Sequence, residues 1–343
     1  MKRRTDKPLI TFALFVYNYE RFIREALAGA FSQTYSPLEI ILSDDCSTDH
    51  TFEIIKEMTE AYRGPHNIIL NRNEHNLGIG AHVNRIMELA KGELIVAAAG
   101  DDVSLPERVE KIYQEWVSSE GKAKSIFSSI IVINEEGIKQ RVEKISPFIN
   151  EEFQPKRMVQ RDFGVFGNSH AWSREVFDVF GPMQTPVICE DRVIPIRSAL
   201  LGEIRYVDEP LTLHRRHRHN TFHYEGEDLS SVDALLTQRK EWFSELLAIY
   251  GNWLKDLEMF KTISPKRHEE INALQDIVNK RLLSKKKEIL LFEANYSKRI
   301  DILLKTLFEG TTFVEFRQRI GMYLIPFVYH KYLKLKNLIK SAL

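Results

Sequence analysis

The first 135 residues alternate short apolar runs with segments in which apolar residues repeat at helical spacing. The runs are Leu9–Tyr17, Leu38–Leu42, Ile68–Leu70, Leu94–Ala99 and Ser125–Ile133. Continuous apolar runs are typical of strands that are buried on both faces of a sheet. Strands that alternate with helices at this spacing form a mostly parallel sheet covered by helices. The sequence therefore predicts an α/β fold for this part of the chain.

After Gly226 the pattern becomes helical almost to the last residue, with few glycines or prolines. We therefore predict a first domain over residues 1–225 and a helical C-terminal region over residues 226–343. The 48 basic and 48 acidic side chains balance, but residues 280–343 hold 14 Lys/Arg and only 5 Asp/Glu. A balanced total charge argues against a dedicated nucleic-acid-binding protein, so we expect no nucleic-acid partner.

Two cysteines, Cys46 and Cys189, are too few for a disulfide framework and fit a reducing compartment. The run Leu9–Tyr17 follows three basic residues, as in a signal peptide, but polar residues end it at once and no small-residue cleavage site follows. No stretch reaches the roughly 18–20 apolar residues that a spanning helix needs. We therefore expect a cytoplasmic protein, or one attached peripherally to the cytosolic face of the plasma (inner) membrane.

Two pairs of acids, Asp44-Asp45 and Asp101-Asp102, each follow a predicted strand. Ligands of open parallel sheets bind beyond the carboxyl ends of the strands, where both pairs are expected. Carboxylate oxygens suit Mg²⁺ or Mn²⁺, and Mg²⁺ usually shares its coordination shell with substrate phosphates. The pairs therefore indicate a metal-bridged phosphate ligand. The alternative is that they cap the helices that follow, although Ser104 is predicted to cap the helix after the second pair.

The order of these motifs resembles that of family 2 glycosyltransferases with the GT-A fold. The resemblance covers roughly residues 8–222. It is carried by Leu9–Thr51, Asn76-Leu77-Gly78, Lys91-Gly92-Glu93, Asp101-Asp102, Glu190-Asp191 and Arg215-Arg216-His217. It implies a Rossmann-like, mostly parallel sheet covered by helices, and an enzyme that transfers a sugar from a nucleotide-sugar donor.

The resemblance also implies roles for the matching residues. Tyr17 would stack near the nucleotide base and Asp45 would hydrogen-bond that base. Asp101 would contact the ribose or the metal, Asp102 would bind Mn²⁺ or Mg²⁺ beside the diphosphate, and Asp191 would be the general base. Further donor contacts are expected at Phe15, Asn76, Gly78, Arg215, Arg216 and His217, and acceptor or sugar contacts at Gly167, Asn168, Ser169, His170 and Glu190. Many members of the family have a small residue where this chain has Phe15, so the resemblance does not indicate a uridine donor.

A single base opposite the leaving group gives direct displacement with inversion, and the resemblance suggests a glycan or lipid-linked saccharide acceptor of the surface-polysaccharide type. Several alternatives remain open. Asp191 could pair with Arg192, Arg197 or Arg205, and Gly167-Asn168-Ser169 also has the composition of a plain turn. A metal-dependent nucleotidyltransferase and a non-catalytic membrane-associated subunit with the same fold are the alternative functions.

Residues 316–343 contain six Lys/Arg and no acid, with apolar residues interspersed. Such a basic amphipathic segment can lie on an anionic bilayer, or it can pack on the domain with a solvated basic face. A homo-oligomer is left open. Two rival motifs are weaker: Gly78-Ile79-Gly80 lacks the third glycine of a dinucleotide fingerprint. Three arginines interrupt the histidines of a zinc site at His214, His217, His219 and His223.

Overall fold

The computed structural model describes residues 7–144, 153–161, 164–184, 186–218, 220, 230–307, 313–326, 329–331 and 333–334. The strands are β1 (Ile10–Val16), β2 (Leu38–Asp44), β3 (Asn67–Arg72), β4 (Leu94–Ala99), β5 (Val103–Ser104), β6 (Ala123–Ile133), β7 (Lys139–Glu143), β8 (Ala171–Ser173) and β9 (Glu203–Arg215). The helices of the sheet domain are α1 (Ile23–Phe31), α2 (Thr51–Ala61), α3 (Ile79–Leu89), α4 (Arg108–Ser118), α5 (Pro155–Arg161), α6 (Glu175–Phe180) and α7 (Glu190–Leu201). The later helices are α8 (Val232–Ile263), α9 (His268–Glu293), α10 (Tyr296–Leu307) and α11 (Phe313–Leu324).

The strands form one mixed sheet in the order β3-β2-β1-β4-β8-β6-β9-β5, with β7 paired to β6. The strands β3, β2, β1 and β4 are parallel, and β6 and β9 are parallel. Strand β8 joins the two parallel groups by pairing antiparallel with both β4 and β6. The predicted strands are all present. The short strand β8 was not predicted, because it contains no apolar run.

The register of the sheet sets which loops lie together. In the pairing of β1 with β2, Val16 lies opposite Asp44, and in the pairing with β4, Phe15 lies opposite Ala99. The segments after these three strands therefore leave the sheet at one edge. Strand β5 pairs Val103 with Leu213 of β9, so residues 101–102 lie beside the end of β9.

The apolar runs are buried as predicted. In β1 both faces are covered, because Ile10, Thr11, Phe12 and Ala13 are all fully buried. Burial of each large apolar side chain contributes about 1.5–3 kcal/mol, which explains why sequence runs of this kind locate the central strands reliably. The main cluster also includes residues from α1, α2 and α4.

The predicted cap of α4 is wrong. Helix α4 begins at Arg108, and no side chain at its N-cap residue, Glu107, makes a capping hydrogen bond. Ser104 lies in β5, where its hydroxyl accepts a hydrogen bond from Arg108 Nη1 at 2.8 Å. The N–H of Val109 lies in the first turn and has no partner within the helix. It donates instead to Gln33 Oε1 at 3.1 Å, from the segment after α1. A residue distant in sequence therefore replaces the local cap.

The chain divides into two compact units. The first comprises residues 1–220 and 252–277, and the second comprises residues 221–251 and 278–343. The predicted boundary near residue 225 lies outside the described residues and stays a prediction. In the described part of the second unit, a small core contains Leu291, Leu303, Met322 and Tyr323.

The C-terminal region is helical as predicted, with α8 to α11. Within the described residues, no helix combines the length and the apolar character needed to cross a bilayer. Much of the basic segment 316–343, including residues 335–343, lies outside the described residues, so its contact with a membrane stays a prediction.

Candidate active site

The loops after β1 and β2 are bound to each other at the edge of the sheet. Asn18 has a φ of 57° and its backbone N–H donates to Ser47 Oγ at 2.8 Å. In return, Asn18 Oδ1 accepts from the backbone N–H of Thr48 at 2.8 Å. Tyr17, the predicted stacking residue, is 40% exposed beside this junction. An exposed aromatic ring on a fixed loop is available to a planar ligand.

Asp44 closes the loop after β2. It is fully buried and accepts from the backbone N–H of Ser47 at 3.0 Å. Arg72 Nε approaches it at 3.4 Å. Burial raises the pKa of the Asp44 carboxyl, although the hydrogen bonds from Ser47 oppose this change. Asp44 therefore serves the fold of the loop, and Asp45 is the member of the pair beyond the strand.

Asp45 holds the loop that precedes α3. Its Oδ1 accepts from Asn73 Nδ2 at 2.8 Å and from the N–H of Leu77 at 2.9 Å. Its Oδ2 accepts from the N–H of Gly78 at 3.0 Å, and Asn76 Oδ1 accepts from the same N–H at 3.0 Å. Gly78 has a φ of 75°, in the left-handed region that glycine adopts readily. These N–H groups are bound to carboxylate and amide oxygens of the chain, which weakens the dinucleotide-fingerprint interpretation of the Gly78 segment.

A buried histidine that the sequence did not indicate lies behind Asp45. The Nδ1 atom of His82 is 4.0 Å from Asp45 Oδ2, and its Nε2 is 2.7 Å from Ser43 Oγ. The ring of Phe15 packs edge-on against His82 with centroids 5.3 Å apart. Burial lowers the pKa of His82 to about 4, so this imidazole is neutral at physiological pH. Phe15 thus packs against His82 at the edge of the sheet.

Asp101 is almost completely buried under the end of β9. Its Oδ2 is 3.0 Å from His217 Nε2 and accepts from Asn220 Nδ2 at 3.1 Å. Burial and the neighbouring Asp102 raise the pKa of the Asp101 carboxyl, while His217 opposes this change. Burial also raises the pKa of Tyr19, whose hydroxyl hydrogen-bonds Asp101. Two of the predicted site residues, Asp101 and His217, therefore contact each other directly.

Asp102 is bound by three different segments. Its Oδ1 accepts from the backbone N–H of Arg215 at 2.7 Å and its Oδ2 accepts from Asn168 Nδ2 at 2.9 Å. His214 Nδ1 is 3.2 Å from Oδ1. Burial alone would lower the pKa of His214, but the Asp102 and Asp101 carboxylates outweigh burial and raise it. Since His214 and His217 bind different aspartates, they do not form the rival zinc site, and His219 and His223 lie outside the described residues.

The guanidinium of Arg215 is buried and is turned toward the protein. Its Nε donates to the carbonyl of Asp101 at 3.1 Å, its Nη1 to the carbonyl of Glu135 at 2.9 Å, and its Nη2 to Glu25 Oε2 at 2.9 Å. Arg216 Nη2 donates to Glu143 Oε1 at 2.9 Å. In this structure Arg215 holds the loop that carries the second acidic pair, and contact of either arginine with the donor stays a prediction.

The segment 164–170 lies between the second acidic pair and α7. A Cβ atom at Gly167 would be 3.1 Å from Glu190 Oε1 and 3.3 Å from Asp191 Cβ, so glycine permits a close approach. The next residue, Asn168, makes the hydrogen bond to Asp102. Consecutive residues of one segment therefore contact Asp191 and Asp102.

The next two predicted residues of that segment face the core. Ser169 is fully buried, and its hydroxyl donates to the carbonyl of Ser128 at 3.1 Å. His170 is 1% exposed, with Nε2 2.7 Å from Ser125 Oγ. Burial lowers the pKa of His170 to about 3, so it is neutral. The structure thus brings Gly167 and Asn168 to the acids and buries Ser169 and His170 just before β8.

Glu190 and Asp191 form the first turn of α7, where negative charge is favourable. The backbone N–H of Val165 donates to the carbonyl of Asp191 at 3.2 Å, which joins the helix start to the glycine segment. Of the arginines that could have paired with Asp191, Arg197 is bound bidentately by Asp256, and Arg205 contacts Glu203 at 2.6 Å.

No group of three or more His, Cys, Asp or Glu side chains within the described residues is arranged to hold a metal ion by itself. Asp101 and Asp102 nevertheless offer two adjacent carboxylates that are only 5% and 4% exposed. Mg²⁺ commonly takes one or two protein carboxylates and completes its shell with water and substrate phosphates. This donor set fits a hard cation that is shared with a diphosphate, and it does not fit a cation bound by the protein alone.

A buried arginine below the second acidic pair was also missed. Arg108 is fully buried and donates to the carbonyl of Ala97 at 2.6 Å. Burial lowers its pKa to about 9, and the nearby Asp102 carboxylate opposes that change. In the sequence Arg108 follows Pro106 at a helix start, where a charged residue is ordinary, so no local signal distinguishes it.

Residues 11–180 match the sequence profile of Glycosyl transferase family 2. The chain carries a family 2 glycosyltransferase domain. The resemblance and the type of enzyme predicted from the ordered motifs are confirmed for this domain.

Two curated relatives each match 60% of this chain. An uncharacterised protein of Mycobacterium tuberculosis is 30% identical over 210 residues, which are 60% of this chain and 58% of the relative. An uncharacterised glycosyltransferase of Nostoc sp. is 28% identical over 209 residues, which are 60% of this chain and 63% of the relative. The matches therefore span less than two thirds of either relative.

Two solved structures share the fold of this chain. TarS 1–349 of S. aureus, in complex with UDP-GlcNAc, gives a TM-score of 0.53 at 14% identity and covers 76% of this chain and 72% of its own. The mannosyltransferase PcManGT of Pyrobaculum calidifontis, in complex with GDP-Man and Mn²⁺, gives a TM-score of 0.51 at 16% identity, with 97% and 88% covered. The predicted GT-A fold class, with a mostly parallel sheet and C-terminal helices, is confirmed.

Proposed function

We propose that this chain transfers a sugar from a nucleotide-sugar donor to a hydroxyl group of a glycan or lipid-linked saccharide, with inversion at the anomeric carbon. One observation carries the proposal. Gly167 lies against Asp191 while Asn168 donates to Asp102, so the candidate base and the candidate metal ligand are joined by two consecutive residues. Direct displacement needs this proximity, because the acceptor and the leaving group lie on opposite sides of one carbon atom.

On the donor side, Tyr17 would stack on the base from the loop after β1, and Asp45 would accept a hydrogen bond from it. Asp45 already accepts three hydrogen bonds from its own loop. Because a carboxylate can accept about four, one acceptor position remains for a ligand. The solved relatives hold UDP-GlcNAc in one case and GDP-Man in the other, so fold likeness leaves the base of the donor open.

Asp101 and Asp102 would hold Mn²⁺ or Mg²⁺ together with the donor diphosphate. When bound, the cation stabilises the negative charge that develops on the departing diphosphate. The chain's own residues set the position of these carboxylates: Arg215 fixes the loop through its backbone and guanidinium, and Asn168 orients Asp102 from the other side.

Asp191 would act as the general base. It takes the proton of the acceptor hydroxyl as that oxygen bonds to the anomeric carbon, and the bond from this carbon to the diphosphate oxygen breaks. The nucleoside diphosphate leaves with the electron pair, and the proton on Asp191 passes to solvent. General-base assistance of this kind is typically worth about 10²–10⁴ in rate.

We further propose a place in surface-polysaccharide assembly, with the basic segment 316–343 on the cytosolic face of an anionic membrane. The support is the sequence of that segment, which holds six cations and no acid. Each well-placed cation contributes about 1 kcal/mol to binding of such a surface.

The test is a screen of UDP-, GDP-, CMP- and dTDP-sugars with Mn²⁺ by thermal shift, followed by detection of the released nucleotide. Asp191→Asn should lower transfer by about 10²-fold or more while it leaves donor binding intact, because it removes the base and not the donor contacts. Asp178→Asn, on an exposed side chain of α6, is the matched control and should transfer normally. Normal transfer by Asp191→Asn would remove this residue from the mechanism, and binding of free nucleoside triphosphates alone would favour nucleotidyl transfer.

A further inference from the structure

Two asparagine side chains bind residues 183 and 184, a short distance before α7, which begins with Glu190 and Asp191. Asn84 on α3 accepts from the N–H of Met183 at 2.8 Å and donates to the carbonyl of the same residue at 2.9 Å. Asn252 on α8 accepts from the N–H of Gln184 at 2.7 Å and donates to its carbonyl at 3.1 Å. Consecutive backbone units are therefore each bound at both polar groups by one carboxamide.

A carboxamide is the short side chain that can make this pair of bonds. It offers an oxygen acceptor and an N–H donor side by side, whereas an ionised carboxylate only accepts and an alanine does neither. Asn252 is 1% exposed, and loss of its side chain would remove this partner from both backbone groups of Gln184. Two hydrogen bonds to each of two consecutive residues therefore restrain the segment at these points.

The same segment is held at further points on both sides of the acids. The N–H of Gly80 in α3 donates to the carbonyl of Val187 at 2.8 Å. Beyond the acids, Trp253 Nε1 donates to the carbonyl of Arg192 at 3.0 Å. The chain is thus fixed at residues 183, 184 and 187 before Glu190-Asp191, and at residue 192 after them. All of these contacts lie within the first compact unit, in which α8 takes part from Asn252 onward.

We propose that Asn84 and Asn252 are positioning residues that set the carboxylate of Asp191 against the acceptor hydroxyl. This inference rests on the proposed glycosyl transfer and deepens it. Helix α8 then belongs to the catalytic apparatus through its contact with residue 184, although none of its residues is predicted to touch a substrate. Substitution of either asparagine should slow the chemical step rather than weaken donor binding, because the donor contacts at Tyr17, Asp45 and Asp102 lie on other segments.

A displacement of about 1 Å at a reacting group can cost about 100-fold in rate. We therefore expect Asn252→Ala and Asn84→Ala to lower kcat by about 10- to 100-fold while the donor KM changes less than about twofold. The asparagine-to-serine variants keep a small polar side chain and add no buried charge, so they are the milder pair if an alanine variant fails to fold. Gln275→Ala is the matched control, because this amide makes an exposed contact with Glu258 in the same unit and should leave kcat unchanged.

Hydrogen exchange gives a second readout that needs no substrate. The amides of Met183 and Gln184 should exchange about tenfold faster in Asn84→Ala and Asn252→Ala respectively, and the amides of residues 187–192 should follow. If wild-type protein turns over no nucleotide sugar, the proposed function fails, and the hydrogen-exchange measurement still reports whether Asn84 and Asn252 hold residues 187–192 in place. If wild type turns over and the variants match Gln275→Ala in kcat, or if exchange at residues 187–192 is unchanged, the positioning role is refuted.

Discussion

Removal of one partner from the ion pair between Arg197 of α7 and Asp256 of α8 should strongly destabilise the first unit. Both side chains are completely buried, and the two hydrogen bonds measure 2.7 and 2.9 Å. Arg197 also donates to the carbonyl of Gly181 at 2.8 Å. Asp256→Asn keeps the shape of the side chain but leaves a buried guanidinium without its counter-charge.

The size of the effect follows from this burial. Two unit charges about 4 Å apart attract by about 4 kcal/mol at an effective dielectric constant of about 20. Measured losses on breaking one partner of a buried pair are about 3–5 kcal/mol. With a urea m-value of about 2–3 kcal/mol per molar, the unfolding midpoint of Asp256→Asn should fall by about 1–2.5 M.

The assay is urea unfolding followed by tryptophan fluorescence. Two controls bracket the result. Glu209→Gln breaks the exposed contact with Lys111 and should cost less than about 1 kcal/mol. Replacing Arg197 by Met and Asp256 by Leu together should recover most of the loss, since no charge is then left buried. A loss for Asp256→Asn no larger than that for Glu209→Gln would refute the reasoning, because the pair would then behave as if solvated.

Three further predictions concern the sheet, the site and the tail. The pKa of His170 lies near 3 in the folded chain and near 6.5 when unfolded, so the unfolded state binds the proton first as pH falls. The free energy of unfolding should therefore fall as the pH drops from about 6.5 to 3, with a loss of about 2 kcal/mol by pH 5. In urea unfolding at pH 7.5 and 5, His170→Asn should not show this loss, and a loss equal to that of wild type would contradict the lowered pKa of His170. Asn168→Ala removes a donor to Asp102 and should raise the Mn²⁺ concentration needed for half-maximal transfer severalfold; the same Mn²⁺ dependence as wild type would show that Asn168 does not orient that carboxylate. Deletion of residues 316–343 should abolish flotation with anionic liposomes, and equal flotation of the full and truncated chains would reject this segment as the contact.

The central strands could be predicted from the sequence because strands that are buried on both faces appear as continuous apolar runs. The edge shared by β1, β2 and β4 followed from parallel pairing, so the loops that carry Tyr17, Asp45 and Asp101-Asp102 could be predicted to meet. The strand β8 could not be predicted in this way, since three residues are too short for a period of two to show.

Contacts made by residues distant in sequence account for most of what was missed. Gln33 binds the first turn of α4 from the segment after α1, so the local capping pattern at Ser104 was misleading. His82 and Arg108 are buried beside the acids for reasons that depend on packing between elements. The contact of residues 252–277 with α7 likewise could not be predicted from the sequence, because a helical pattern shows that one face of a helix is buried but not which element covers it.

The central claim is that Asp102 and Asp191 flank one reacting carbon atom. A crystal grown with a nucleotide sugar and Mn²⁺, measured at the manganese absorption edge, tests it most directly. We predict an anomalous peak at coordination distance, about 2.1–2.3 Å, from an Asp102 carboxylate oxygen and from the diphosphate, with the Asp191 carboxylate facing the anomeric carbon from the opposite side. A manganese peak elsewhere, or a donor sugar whose anomeric carbon is turned away from Asp191, would contradict the account.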